Sequence, residues 1–187
     1  MELKTVYFDK PGAENTEATL RLAKQRADEL GIKTILVAST TGETAVRAVD
    51  AFPGRRVIAV THSAGFREPN TQEFSEESKK IVEGKGAIVH TATHTFSGIS
   101  RALRSKYNTP GTGDIIADTL RIFGQGVKVA CEITTMAADG GLVRTDEDII
   151  AIAGSGRGAD SAVVLTPVNS ANFFNLRVKE ILCKPHF

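Results

Sequence analysis

Four short apolar runs punctuate this chain, and each is stopped abruptly by small polar residues. Ile35, Leu36, Val37 and Ala38 run into Ser39, Thr40, Thr41 and Gly42; Val57 to Val60 run into Thr61, His62 and Ser63. Ala87 to Val89 end in His90, Thr91, Thr93, His94 and Thr95, and Ile149 to Ala153 end in Gly154, Ser155, Gly156, Arg157 and Gly158. Runs of this length, rich in β-branched residues, read as strands buried on both faces. Between them the period changes. Leu20, Ala23, Ala27 and Leu30 recur at helical spacing, with Lys24, Arg26, Asp28 and Glu29 on the wet face and Gly31 at the end. Ala45, Val46 and Val49 mark a helix that Pro53 and Gly54 stop, Phe74 to Glu83 a third, and Val129, Ile133, Met136 and Ala137 a stripe that stops at Gly140 and Gly141. Strands alternating with helices predict a parallel sheet, and right-handed crossovers bring the polar strand ends to one edge.

The remaining segments are read less directly. Leu3 to Phe8 reads as a short strand that leads through Asp9, Lys10, Pro11 and Gly12 to Asn15 or Thr16 as the cap of the first helix. Phe96 to Gly113 carries Arg101, Arg104 and Lys106 on a short helix followed by a long turn, a stretch suited to a lid or an oligomer contact. Ile115 to Phe123 reads as helix, with strand as the alternative. After the Gly-rich loop at 154–158 no helix pattern follows, so Ala162 to Thr166 is expected to return as an antiparallel hairpin strand. The alternation of Phe174, Leu176 and Val178 adds a strand or docks on the surface.

The turn from Ser39 to Gly42, lying between a strand's end and a helix's start, gathers free N–H groups, hydroxyls and the positive end of a helix dipole, which suits a phosphate. Ser and Thr in that place are also ordinary N-caps, so the two readings stand side by side. Arg157 either neutralises such a phosphate or is a solvated loop residue. His62, His90 and His94 fall at strand ends as a polar rim rather than a metal set, and no metal is expected. No Gly-x-Ser-x-Gly elbow and no clear Ser, His and acid set is visible. Glu132 and Asp139 read as the solvated face of their helix.

Composition narrows the partners. With 23 Lys plus Arg against 22 Asp plus Glu the formal charge is +1, which gives no support for nucleic acid or a membrane surface. The 187 residues suit one domain, 1–187. No span-length apolar stretch and no signal-like start is present, so a cytoplasmic protein is expected. Cys131 and Cys183 are too few for a disulfide framework.

The segment from Ile35 to Thr61, with Ser39, Thr41, Gly42, Thr44 and Ala45, resembles the C-terminal domain of pyruvate kinase, as does Gly141 to Val143 leading through Asp148 into Ile149 to Ala153. Tyr7, Phe8, Pro11, Gly12, Glu14, Asn15, Thr16 and the Gly156 to Asp160 stretch resemble the stand-alone proteins of that type across nearly the whole chain. The resemblance implies a three-layer α/β/α fold with a five-stranded, mostly parallel mixed sheet of order 3-2-1-4-5, strand 5 antiparallel. In that order the loops after Ala38 and Ala153 flank a topological switch point, where open α/β sheets bind ligands.

Pyruvate kinase catalysis lies on a separate barrel, so the resemblance implies no such activity here. It does imply phosphate binding by Ser39, Thr40, Thr41, Gly42 and Thr44, and an association with flavin mononucleotide. Glu43 stands where a basic residue is usual and disfavours a doubly charged ligand. The candidate site is therefore Asn15, Ser39, Thr40, Thr41, Gly42, Thr44, Thr61, His62, Gly154, Ser155, Gly156, Arg157 and Gly158. Its expected occupant is a phosphorylated small molecule or flavin nucleotide, FMN being the candidate cofactor, in a possible homo-oligomer. The alternative is a flavin-dependent oxidoreductase.

Overall fold

In the computed structural model, which describes residues 2–186, the apolar runs form four neighbouring strands of one mixed sheet. The strands are β1 (Val6–Phe8), β2 (Thr34–Ala38), β3 (Arg56–Val60), β4 (Ile88–His90), β5 (Ile149–Ala153), β6 (Ser161–Thr166) and β7 (Arg177–Pro185). The helices are α1 (Thr16–Leu30), α2 (Glu43–Ala51), α3 (Glu76–Gly84), α4 (Gly98–Tyr107), α5 (Thr112–Arg121) and α6 (Gln125–Asp139). The sheet order is β1-β7-β6-β5-β2-β3-β4. Strands β4, β3, β2 and β5 are parallel, and β6 is antiparallel to β5.

The expected order 3-2-1-4-5 is therefore present, but the expected count of five is corrected to seven. The additional pair is β7, antiparallel to β6, and β1, parallel to β7 with Val6 opposite Cys183. β7 covers the outer edge of β6, which would otherwise present unpaired N–H and C=O groups, and β1 in turn pairs with β7.

Why the central strands lack alternation is clear from what lies on each side. Ile35, Val37, Val57, Ala59, Ile150 and Ile152 pack with Leu20, Ala23, Ala45 and Val49 of α1 and α2. Their neighbours Leu36, Ile58, Ile149, Ala151 and Ala153 pack with Val127, Ala130, Ile133 and Ala137 of α6. Both faces of β2 and β5 are thus in apolar contact. The segment 96–113 is mostly α4, none of whose residues is buried, and Ile115 begins the exposed side of helix α5 rather than a strand. Among the described residues no helix is long and apolar enough to cross a membrane.

Candidate functional site

Because β2 and β5 pair directly, with Val37 opposite Ile152, their carboxyl ends deliver two loops to the same place. A cleft of about 700 Å³ opens there. Ser39, Thr40, Thr41 and Thr44 form one part of its wall, Gly154 to Gly158 another, and Thr61 and His62 a third. An apolar wall comes from α6 through Val129, Ile133 and Met136. Asn15 and Gly42 are not part of this wall. The Asn15 side chain donates to Lys10 O at 2.8 Å instead.

Several of these residues hold the loops in shape. Ser39 is 5% exposed, and its hydroxyl accepts the N–H of Ala45 at 3.2 Å, one turn into α2. Its oxygen thus satisfies an N–H in the first turn of α2. Gly42 has φ +105, and a Cβ there would lie 2.2 Å from Ser78 Cβ, so the position admits only glycine without movement of α3. On the other loop, Asp160 is fully buried and its Oδ2 accepts from Gly12 N at 3.2 Å and Ser155 N at 3.1 Å. Its Oδ1 accepts the Ser161 hydroxyl at 2.8 Å. Thr16 Oγ1 accepts Ala159 N at 3.0 Å, tying the same loop to the start of α1.

What remains faces the cleft. Thr40, Thr41 and Thr44 line it, and the N–H groups of Glu43 and Thr44 stand at the start of α2, where the helix dipole is positive. The wall carries six cations (Arg67, Arg101, Arg104, Arg121, Lys128 and Arg157) against three carboxylates (Glu43, Glu73 and Glu132). Most of these cations are engaged: Arg67 with Glu73, Arg104 with Asp114, Arg121 with Asp118 and Lys128 with Glu132. Among the described residues Arg157 makes no ion pair, and Arg101 lies over the Phe66 ring at 4.4 Å and donates to Phe66 O.

Two arrangements here were not read from the sequence. Glu132, expected on a wet face, is 2% exposed; it accepts Phe96 N at 3.0 Å and pairs with Lys128, itself 6% exposed. Asp139 is exposed, as expected of it. The second brings together a Thr hydroxyl, an imidazole and a Glu carboxylate, a grouping the sequence pattern does not display. His62 Nδ1 lies 2.7 Å from Glu73 Oε2, and its Nε2 lies 3.4 Å from Thr40 Oγ1. Arg67 Nε holds the other Glu73 oxygen at 2.8 Å, and Phe66 packs on His62 with ring centroids 4.1 Å apart.

His94 is the second histidine of the cleft. Its Nε2 accepts Ser63 N at 3.3 Å, and its Nδ1 is 4.0 Å from Glu132 Oε1. Burial in the main lowers its pKa below the ordinary 6.5, opposed by the charge of Glu132. His90 turns away, its ring beside Gly140 and its Nε2 buried without a partner among the described residues. Among the described residues no group of three or more His, Cys, Asp or Glu is placed to hold a metal ion.

The family model for the pyruvate kinase alpha/beta domain matches residues 17–165. The chain belongs to that family. The match to the pyruvate kinase α/β domain starts inside α1 and stops at β6, so the two additional strands β1 and β7 lie outside it. Among solved structures, a pyruvate kinase from Cryptosporidium parvum is similar at 16% identity and a TM-score of 0.43, over 85% of this chain. This pyruvate kinase α/β domain protein covers 24% of that chain's length.

Proposed function

We propose that this pyruvate kinase α/β domain protein binds a phosphate-bearing small molecule in the cleft at the carboxyl edge of its sheet, without pyruvate kinase activity. One observation carries the reading. Two glycine- and hydroxyl-rich loops from adjacent strands face one cleft, and Arg157, between glycines of the second loop, has no carboxylate partner there. A loop N–H array beside a helix start and an uncommitted guanidinium favours a phosphate over a neutral ligand. Glu43 on the same wall opposes a second negative group close by, which favours one phosphate over two.

The remainder of the ligand faces Val129, Ile133 and Met136, an apolar surface suited to a flat ring. FMN is the candidate that combines these properties. The two buried free thiols Cys131 and Cys183 favour the cytoplasm, where thiols stay reduced.

Titration with FMN, followed by the thermal midpoint of unfolding and by calorimetry, tests the reading. Arg157→Ala should weaken binding roughly 10- to 100-fold, the worth of one charge-assisted contact, with the midpoint of the unliganded protein unchanged. Equal affinity of the variant and the parent protein refutes it.

A further inference from the structure

We propose that Thr40, His62 and Glu73 form a hydroxyl, imidazole and carboxylate relay by which the cleft takes the phosphoryl group of a bound monoester onto Thr40. The proposal rests on the reading of the cleft as a phosphate site and adds chemistry to it.

The geometry supplies each role. Glu73 lies on the Nδ1 side of His62 at 2.7 Å, so Nδ1 carries the proton and Nε2 presents a lone pair. That lone pair faces Thr40 Oγ1 at 3.4 Å, a separation of the loose kind found when the reacting partner is absent. Glu73 is itself fixed, because Arg67 Nε holds its other oxygen at 2.8 Å. Phe66 packs on one side of the imidazole and fixes its orientation, with ring centroids 4.1 Å apart. Thr40 stands between the end of β2 and the start of α2, and Gly42 at φ +105 makes the sharp turn that brings the hydroxyl to the mouth of the cleft. The same three roles, recognised by geometry rather than by order in the chain, recur on unrelated folds.

The step balances without an outside oxidant or reductant. Thr40 Oγ1 forms a bond to phosphorus as the bond from phosphorus to the ester oxygen breaks. The Thr40 proton passes to His62 Nε2 and then to the leaving alcohol. Water next attacks the phosphothreonine; His62 takes one water proton and returns it to Thr40 Oγ1, and inorganic phosphate leaves. Arg157 and the start of α2 line the same cleft and are the groups available to the oxygens on which negative charge accumulates. Thr40 and His62 are the catalytic residues here, and Glu73 is a positioning residue that acts through His62.

The experiment uses p-nitrophenyl phosphate as substrate, with nitrophenolate release followed by absorbance and the protein examined by intact mass after an acid quench. The parent protein should turn over and carry a phosphate adduct on Thr40. Thr40→Ser should retain both; Thr40→Val should lose both. His62→Gln should slow release roughly 100-fold or more, the usual worth of a general base. Glu73→Gln should lower kcat and leave KM unchanged, a split that a purely structural role would not give. The thermal shift caused by inorganic phosphate is measured on the same samples. A phosphate shift in a parent protein without turnover or adduct overturns the relay and leaves the binding reading intact. Turnover by Thr40→Val at the parent rate also overturns the relay. Turnover by the parent protein that is lost in Thr40→Val supports the relay whether or not inorganic phosphate shifts the midpoint, and neither turnover nor a shift overturns the relay together with the phosphate reading.

Discussion

Replacing Lys128 by methionine removes the partner of a carboxylate that has almost no access to water. The side chains of Lys128 and Glu132 are 7% and 3% exposed, one turn apart on α6. With Lys128 gone, Glu132 retains only the Phe96 N–H at 3.0 Å and a His94 nitrogen at 4.0 Å. Breaking a buried pair from one side costs about 3–5 kcal/mol, chiefly because the remaining charge stays desolvated. Replacing both residues, as Lys128→Met with Glu132→Leu, removes that charge; what is left is the orphaned Phe96 N–H, worth about 1–3 kcal/mol. The double variant should therefore be more stable than Lys128→Met alone. The chain has no tryptophan, so urea unfolding is followed by far-ultraviolet circular dichroism. At a slope of about 2 kcal/mol per molar urea, Lys128→Met should lower the midpoint by roughly 2 M and the double variant by roughly 1 M. A double variant no more stable than the single one would refute the account of Glu132 as an uncompensated buried charge.

Acidification gives a second test, because His94 is held neutral by burial. Below its ordinary pKa of 6.5 the unfolded chain takes up a proton that the folded one does not, so stability falls as pH drops through that value. His94→Gln should flatten this slope in urea midpoints measured between about pH 5.5 and pH 7.5, roughly one unit either side of the ordinary value. Burial likewise pushes the Cys131 thiol up to about 12 and the Cys183 thiol up to about 11. The unfolded thiols ionise first on raising the pH, so both stabilise the fold below about 9 and lose that contribution as pH rises through their folded values. Iodoacetamide at mildly alkaline pH should accordingly label both only after unfolding, and rapid native labelling would contradict their burial. Asp160→Ala should cost about 2–5 kcal/mol, from orphaned Gly12 and Ser155 N–H groups, and should weaken FMN binding by loosening the 154–158 loop. Gly42→Ala should destabilise through contact with Ser78, read as a lower thermal midpoint, without altering a group that faces the cleft.

Much of the central sheet was legible because its strands are short, β-branched and closed by polar residues. Ile35 to Ala38 and Ile149 to Ala153 are apolar at every position because helices cover both faces, and no other common arrangement tolerates such runs. The β1 and β7 strands were harder to read. Their pairing joins the two ends of the chain, Val6 with Cys183, and the alternation at Phe174 to Val178 starts before the strand does at Arg177. Leu3 to Phe8 reads as a strand and the alternation at 174–178 hints at one, but nothing local marks that the two pair with each other.

Glu132 was misread for a different reason. The stripe of Val129, Ile133 and Met136 implies a helix with one buried face, yet α6 packs on the sheet on one side and on α5 on the other. A helix covered on two sides has no wet face for a carboxylate to occupy. Glu73 gave no signal at all, since ten residues of loop and turn lie between it and His62 and only the fold brings them together.

The cleft divides its residues between shape and contact, and residue type alone does not say which residue does which. Ser39, Gly42 and Thr16 belong to residue types that bind phosphates elsewhere, but here they, with the Asp160 carboxylate, hold the two loops against α1, α2 and α3. Thr40, Thr41, Thr44 and Arg157 lie beside them in sequence and face the cleft. A loop with both kinds of residue is rigid before a ligand arrives, so little conformational entropy is lost on binding. It follows that substitutions in the first set should change affinity only together with the thermal midpoint, whereas those in the second should change affinity alone. A plot of one against the other across single variants separates the two sets, and a single line through both would show that the loops are not held in advance.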